Sequence, residues 1–428
     1  MENCAERNYI SDIRVGEEVL LKGWVYDVRS LSNVGFILLR DCSGIVQCVG
    51  KGKEVLKKIL SLSLESVIWV KGKVRKANVK ADFVRKDVEV EILELGILNR
   101  AEKLPIQVNE KSVRADLSKR LDYRFLDVRK PKVQAIFKIQ STIANAFREF
   151  FYNKGFIEIQ PPGIIACSTE GGTDLFEVKY FDKKAYLAQS PQLYKQLMAI
   201  SFEKVFSTSP VWRAEKHDTS KHINEIRQMD IEVAFEDDIG IMKYLEEVVK
   251  FIVSEIMKKC QKELEILDLN LKVPGAKYLT YTEAIKLLNK NGFKLKFGED
   301  FDPEAERKLC ELFPNKIIFT YEWPTEMKPF YIWPKENGLS GGFDAVYGGV
   351  EISSGGQRIH VPEILIQQLK TKGLNPKNFK WYIDAFRYGA PMHSGWSIGL
   401  ERLTYAICNL DNIREATLFP RDRKRLTP

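Results

Sequence analysis

Three short runs hold the side chains whose types and spacing could do chemistry. Residues 213–222 read RAEKHDTSKH, residues 351–358 read EISSGGQR and residues 399–402 read GLER. An arginine guanidinium is a planar cation with five donors, so it can hold two oxygens of a carboxylate or a phosphate. One carboxylate with one nearby hydroxyl, as at Glu351 and Ser354, suits Mg²⁺, which keeps several waters and binds oxygen ligands. The runs favour a site for anionic oxygens and a hard metal ion.

The bulk composition limits the class of protein. The chain has 428 residues, of which 44% are hydrophobic and 29% charged, as expected of a globular protein with two or three domains. No apolar run approaches the roughly 20 residues that span a bilayer, and no signal peptide is evident, so we expect a cytoplasmic protein without a membrane partner. Seven cysteines without a C-x-x-C pair predict reduced thiols rather than disulfides or a zinc site.

Charge is distributed unevenly along the chain. The formal net charge is +8, and the segment from Lys71 to Lys86 contains seven basic residues against one acid, Asp82. A basic strip of this kind suits a polyanion such as a nucleic acid.

The pattern of apolar runs divides the chain into domains. Residues 19–100 alternate short apolar runs with turn residues, and with a helical insert at 53–63 they predict a small OB-type barrel. A generic β-barrel without a ligand is the alternative interpretation. We therefore predict a barrel domain at 1–102, a polar hinge or linker at 103–130 and a second domain at 131–428.

The second domain mixes helical and strand patterns. Apolar residues at helical spacing predict a long helix over 134–154, and the strand pattern that follows is halted by Pro161 and belongs at a sheet edge or a strand end. Strands are predicted at 205–212, 226–235, 317–323 and 343–352, and helices at 239–264, 362–371 and 398–409. The fold class is α+β, with an antiparallel sheet flanked by helices.

Taken in order, the runs resemble motifs 2 and 3 of the class II aminoacyl-tRNA synthetases. The segments QSPQLYK at 189–195 and FPRDRKRLTP at 419–428 are similar to those of archaeal-type aspartyl-tRNA synthetases. The resemblance implies an OB-fold anticodon-binding domain, a class II catalytic domain and a homodimer. It also implies ATP- and Mg²⁺-dependent attachment of L-aspartate to tRNA(Asp) through an adenylate. Residues 30–35, SLSNVG, replace the usual Asp-x-Gly-Gly turn, which leaves open whether tRNA(Asn) is also charged.

The resemblance assigns roles to individual residues of the ATP site. Arg213 is expected on the α-phosphate and the reacting carboxylate, and Glu215 on the adenine amino group. Arg402 is expected to stack on adenine and reach the γ-phosphate, while Gly399 permits close approach. His222 either contacts the nucleotide or is solvated like most loop histidines. Glu351 and Ser354 are the expected magnesium ligands.

Other segments are expected to hold aspartate and the anticodon. By the resemblance, Lys195 and Arg358 bind the side-chain carboxylate, since two buried cations would lack compensation beside an amide substrate. The same resemblance implies that Glu170 binds the α-ammonium of aspartate. The other implied aspartate contacts are Gln192, Arg213, Tyr331 and Ser354. The implied anticodon contacts are Arg29, Phe36 and Gln47. Phe36 could instead belong to the barrel core, because it lies in an apolar run.

Two other functions share this pattern. An asparaginyl-tRNA synthetase has the same architecture, although Lys195 in its Gln-Ser-Pro-Gln setting argues against it. A catalytically silent tRNA-binding paralogue would lose motif residues, whereas Arg213, Glu215, Glu351, Ser354 and Arg402 are all present.

Overall fold

A computed structural model describes residues 6–109, 115–166, 175–216 and 219–428. The chain forms two compact units, Met1–Val133 and Gln134–Pro428. One of the sequence-based predictions, Glu170, lies outside the described residues. No helix in the described ranges is long and apolar enough to cross a membrane.

The N-terminal unit contains a closed five-stranded barrel with the strand order β1-β2-β3-β5-β4. Its strands are β1 Glu18–Leu31, β2 Val34–Arg40, β3 Ile45–Lys51, β4 Val67–Lys76 and β5 Val88–Asn99, and helix α1, Lys53–Leu60, is the predicted insert. Alternate side chains such as Val25, Ile37, Val46 and Val70 are fully buried and form the barrel core. The predicted OB-type barrel is confirmed.

Beyond the barrel, the predicted linker segment packs within the same compact unit. Ile106, Val108 and Leu126 form a cluster with Tyr26 and Leu38 of the barrel strands. Two short helices follow, α2 Leu117–Asp122 and α3 Arg124–Asp127.

The C-terminal unit is built on an eight-stranded sheet with the order β12-β13-β14-β15-β16-β11-β10-β6. The interior pairs are antiparallel, while β10–β6 and β12–β13 are parallel. Its strands are β6 Ile157–Glu158, β10 Lys204–Trp212, β11 Glu225–Ala234, β12 Gly275–Thr280, β13 Lys316–Tyr321, β14 Gly342–Tyr347, β15 Val350–Gln357 and β16 His393–Gly399. As predicted, the strand before Pro161 lies at an edge.

Helices cover the sheet and complete the core. They are α4 Pro131–Asn153, α5 Gln192–Phe202, α6 Asp238–Lys259, α7 Gln261–Leu267, α8 Tyr281–Lys290, α9 Pro303–Leu312, α10 Pro362–Thr371, α11 Lys380–Arg387 and α12 Leu400–Cys408. The apolar stripe of α4, including Ile139, Ile143 and Phe147, packs with α6, α12 and the sheet. A small sheet, β7-β9-β8, consists of β7 Ile164–Ile165, β8 Glu177–Tyr180 and β9 Lys183–Leu187.

Three predicted elements differ from the structure for local reasons. The predicted strand 343–352 is two strands, because Gly348 and Gly349 adopt φ values of 60° and 79° and form a tight hairpin turn. The predicted helix 239–264 is interrupted at Cys260, where the backbone leaves helical geometry. The predicted helix 398–409 begins at Leu400, since residues 398 and 399 complete β16.

Candidate active site

One cavity of the C-terminal unit brings most of the predicted site residues together. It has a volume of about 270 Å³ and lies among β10, β11, β15, β16, α5 and α12. The predicted residues that line it are Gln192, Lys195, Arg213, Glu215, His222, Tyr331, Glu351, Ser354, Arg358, Gly399 and Arg402. These side chains come from segments far apart in sequence, so the fold is what makes them one site.

At one end of the cavity, two arginines lie beside a carboxylate. Arg402, in the first turn of α12, donates from Nη1 to the backbone oxygen of Glu351 at 3.0 Å, and the same nitrogen lies 3.6 Å from Glu351 Oε2. Arg213 follows the end of β10, where the Asn224 side-chain amide donates to the carbonyl oxygens of Arg213 and Glu215. These two hydrogen bonds fix the backbone that carries Arg213 and Glu215.

A bulge in β15 explains the spacing of Glu351 and Ser354. Residues three apart in a regular strand point to opposite faces, but the register with β14 shifts between Ala345 and Val346. The extra residue lets Glu351 and Ser354 share one face, and Ser354 pairs with Asp344 of β14. Asp344 was not predicted from the sequence, yet it adds a second carboxylate beside the expected metal ligands.

Charges around this end are dense and mutually balanced. Desolvation raises the pKa of the Glu351 carboxyl; Arg402 opposes the rise and Asp344 adds to it. Lys328 Nζ donates to Asp344 Oδ2 at 2.5 Å. Burial likewise raises the pKa of Glu306 to about 7, with Glu351 adding to the effect and Lys221 opposing it. The neighbouring carboxylates repel one another, so binding of a cation among them would be electrostatically favourable.

At the other end, the two expected aspartate-binding cations are already paired with buried carboxylates. Lys195 Nζ donates to Asp230 Oδ1 at 2.9 Å and lies 3.5 Å from Glu232 Oε2. Arg358 Nε donates to Glu232 Oε1 at 2.8 Å. The sequence argument that these cations need a negative substrate for compensation is therefore wrong, because Asp230 and Glu232 compensate them internally.

The partner carboxylates belong to β11 and carry a recognisable sequence signal. In that strand Gln228, Asp230 and Glu232 alternate with apolar residues that join the sheet core. Strand alternation therefore directs one polar face toward the cavity side of the sheet. Asp230 itself lines the cavity, and it was missed in the sequence analysis.

The predicted anticodon residues occupy an outward face of the barrel. Phe36 is partly buried, pairs across the sheet with Arg29 and Val49, and belongs to neither barrel core cluster. Arg29 Nε donates to Asp27 Oδ2 at 3.0 Å. Gln47 Nε2 donates to Glu89 Oε2 at 2.9 Å. Adjacent strands thus present one aromatic and two hydrogen-bonding groups on the same face.

Comparison with known families agrees with the fold. Residues 116–423 match the model of "tRNA synthetases class II (D, K and N)", and residues 19–98 match the OB-fold nucleic acid binding domain. The chain belongs to the class II tRNA synthetases, and it is an enzyme of that family.

Individual relatives within this family include aspartate–tRNA ligases and an asparaginyl-tRNA synthetase. The chain is 45% identical to the aspartate–tRNA(Asp/Asn) ligase of Methanocaldococcus jannaschii over 98% of each chain. It is 44% identical to the aspartate–tRNA(Asp) ligase of Pyrococcus furiosus, again over 98% of each. Among solved structures, the asparaginyl-tRNA synthetase of Pyrococcus horikoshii with asparaginyl-adenylate matches with a TM-score of 0.93 at 35% identity, covering 99% of this chain and 100% of that one. The predicted resemblance to archaeal aspartyl-tRNA synthetases is confirmed.

Proposed function

We propose that this enzyme attaches L-aspartate to tRNA(Asp) through an aspartyl-adenylate. The observation that carries the proposal is that one cavity is lined both by Arg213 and Arg402 and by Lys195 and Arg358. One end suits the phosphates of ATP, and the other suits a small carboxylate. The two reactants would then meet in a fixed orientation, which is the main requirement of this chemistry.

Selection of aspartate over asparagine would come from hydrogen-bond direction rather than from net charge. The ammonium of Lys195 and the guanidinium of Arg358 offer only donors. A substrate carboxylate accepts at both oxygens, whereas an amide directs one NH₂ group toward these donors. An amide substrate would need an acceptor for its NH₂ group; Asp230 also lines the cavity, but its Oδ1 already accepts from Lys195.

In the first step, the α-carboxylate of aspartate attacks the α-phosphate of ATP and pyrophosphate leaves. Arg213 would hold the α-phosphate and the attacking carboxylate together, and Arg402 would neutralise the triphosphate and cover the adenine. Glu351 and Ser354 would hold Mg²⁺, with Asp344 adjacent; the metal supplies charge neutralisation on the phosphates when bound. In the second step, a terminal ribose hydroxyl of tRNA attacks the aspartyl carbonyl and AMP leaves.

On the barrel, Phe36 would stack on an anticodon base, while Arg29 and Gln47 would form hydrogen bonds with base edges.

A second activity, charging of tRNA(Asn), is favoured by the altered β1–β2 turn beside Arg29 and Phe36. Relatives of similar identity carry both kinds of name, Asp/Asn and Asp alone. The barrel turn is therefore the feature to vary when this second activity is tested.

We also infer a homodimer that uses α4 and β6, because this helix and strand, followed by a proline, resemble motif 1, the segment at which class II synthetases dimerise. Tyr152 and Ile157 support this arrangement, since their surfaces are 54% and 44% exposed at that face in the single chain. Light scattering should give twice the chain mass, and a monomer would refute this inference.

Aminoacylation of unmodified transcripts tests the proposed function. Purified enzyme, ATP, Mg²⁺ and radiolabelled aspartate should charge a tRNA(Asp) transcript, and omission of Mg²⁺ should abolish charging. A tRNA(Asn) transcript and a tRNA(Lys) transcript belong in the same series. Charging of the tRNA(Asn) transcript with aspartate would support the second activity. If neither the tRNA(Asp) nor the tRNA(Asn) transcript is charged, both proposed activities are refuted.

A further inference from the structure

Behind Gln192 lies a chain of buried polar side chains that the reaction described above does not use. Gln192 Nε2 donates to Gln196 Oε1 at 2.8 Å, and the Tyr382 hydroxyl donates to the same oxygen at 2.9 Å. Gln196 Nε2 lies 2.9 Å from His393 Nε2, and His393 Nδ1 lies 2.9 Å from the carbonyl oxygen of Pro391. Gln196, Tyr382 and His393 are fully buried, and Gln192 is 5% exposed.

The carbonyl of Pro391 fixes the proton positions along this chain. A carbonyl oxygen only accepts, so His393 Nδ1 must carry a proton. Burial lowers the pKa of His393 to about 4, against the opposing effect of Glu232, so the ring is neutral near pH 7 and its Nε2 accepts. The group that donates to Nε2 must then be the NH₂ of Gln196. The oxygen of the Gln196 amide consequently faces the other way.

The orientation of Gln196 determines that of Gln192. Gln196 Oε1 can only accept, so both Tyr382 and Gln192 must direct donors toward it. Gln192 lies one helical turn before Gln196 on α5 and lines the cavity beside Lys195. Because the Gln192 nitrogen donates to Gln196, the Gln192 amide oxygen is the atom available as an acceptor toward the cavity.

We propose that Gln196, Tyr382 and His393 are positioning residues that hold the Gln192 carbonyl oxygen toward the cavity, where it accepts from the substrate α-ammonium. This inference rests on the proposed function, because it needs an amino acid in the cavity. An inverted Gln192 would direct NH₂ at an ammonium, which has only donors, and the contact would be lost.

Substitution of His393 tests the relay through the Michaelis constants of the two small substrates. His393→Phe keeps a ring beside Phe386, 5.8 Å away between ring centres, but removes the acceptor, so Gln196 is free to turn over. We expect KM for aspartate to rise about tenfold, as for loss of a hydrogen bond to a charged group, with KM for ATP within about twofold of wild type. His393→Gln restores an acceptor and should keep KM for aspartate within about threefold of wild type.

A matched control and a milder variant separate positioning from general destabilisation. Tyr281→Phe removes a buried hydroxyl that donates to the carbonyl oxygen of Glu299 and does not line the cavity, so it should change neither KM. Tyr382→Phe deletes one of the two donors to Gln196 Oε1 but leaves His393 in place; if His393→Phe does not fold, a smaller rise in KM for aspartate, about threefold, in Tyr382→Phe carries the test. Equal rises in both KM values, or a lower melting temperature with unchanged KM for aspartate, would overturn the relay.

One readout does not depend on catalysis. With four histidines in the chain, ¹⁵N-histidine labelling can follow each ring. The relay requires one ring that stays a neutral Nδ1–H tautomer from pH 6 to 8, and whose signals disappear in His393→Gln. A His393 ring that is protonated or in the other tautomer at pH 7 refutes the relay. Absence of aspartate-dependent exchange in the wild type, with the expected tautomer, refutes the proposed function alone.

Discussion

In the catalytic unit, Lys195 and Arg358 are each 2% exposed and are held by the buried carboxylates Asp230 and Glu232. On the barrel face, the Arg29 side chain is 54% exposed although it also pairs with a carboxylate, Asp27. Breaking a buried pair by removing one partner costs roughly 3–5 kcal/mol, whereas an exposed pair contributes about 0–1 kcal/mol.

The difference matches what each region would bind. A small amino acid requires donors whose directions are already fixed, because discrimination of a carboxylate from an amide depends on them. The guanidinium of Arg29 has five donors, so its exposed side can contact a base edge while it keeps its bond to the buried carboxylate of Asp27. The buried pairs therefore favour specificity for a small ligand, and the exposed cation on the barrel favours adaptable contacts with RNA.

The largest expected effect comes from removing one buried carboxylate. Burial alone would raise the pKa of Glu232, but Arg358 and Lys195 hold it below its ordinary value. Glu232→Gln leaves those cations undercompensated and should lower the free energy of unfolding by roughly 3–5 kcal/mol, measured by denaturant titration. Glu91→Gln, which breaks the exposed pair with Arg75, should barely move the transition. If both variants lowered the free energy of unfolding equally, the difference in energy between buried and exposed ion pairs would be contradicted.

The next effect concerns catalysis at the nucleotide end. Arg402→Ala should slow aspartate-dependent pyrophosphate exchange about a hundredfold or more, since one preorganised donor is worth roughly 3 kcal/mol at the transition state. Filter binding of tRNA should remain nearly unchanged. Arg387→Ala, at an exposed pair with Asp384, is the matched control. Exchange that survives in Arg402→Ala would contradict the assignment of the ATP site.

A pH dependence of stability is expected from the buried carboxylate of Glu401. Glu401 is 5% exposed, accepts from the backbone NH of Arg227, and burial raises its pKa to about 7. Between pH 4.5 and 7 the folded state keeps a proton that the unfolded state loses, so this group's contribution falls as pH rises, by at most about 3 kcal/mol. Glu401→Gln should therefore gain melting temperature relative to wild type between pH 5 and pH 8. A difference that stays constant with pH would contradict the raised pKa.

The smallest expected effect lies on the barrel. Phe36→Ala should weaken tRNA charging by roughly 1–3 kcal/mol, the range for base–aromatic stacking, and leave pyrophosphate exchange unchanged. Phe125→Ala, at an exposed aromatic of the same unit that lies outside the barrel strands and the Lys71–Lys86 segment, should change neither assay. If Phe36 were core instead, its loss would cost roughly 3–5 kcal/mol of stability, which thermal unfolding would detect. Normal charging by the stable variant would refute stacking.

Local strings in the sequence predicted much of the candidate site. Arg213 with Glu215, and Gly399 with Arg402, are short runs whose chemistry is visible without the fold, and the structure brings them to one cavity. Their roles in binding stay predictions. The barrel was also predictable, because its core residues alternate along each strand.

Long-range partners could not be predicted in the same way. Asp230 and Glu232 find Lys195 and Arg358 only through packing of β11, β15 and α5, so the internal compensation of charge was missed. Asp344 becomes a neighbour of Ser354 through strand pairing. Likewise the break between β14 and β15 depends on the positive φ of two glycines inside an otherwise strand-like run.

Pyrophosphate exchange with aspartate and with asparagine, on the unmodified enzyme, tests the central claim most directly. Because Lys195 and Arg358 present donors in fixed directions, we predict that kcat/KM for asparagine is at least a hundredfold lower, roughly 3 kcal/mol. Equal activity with asparagine would contradict the account and would indicate that Asp230 serves as an amide acceptor in the cavity.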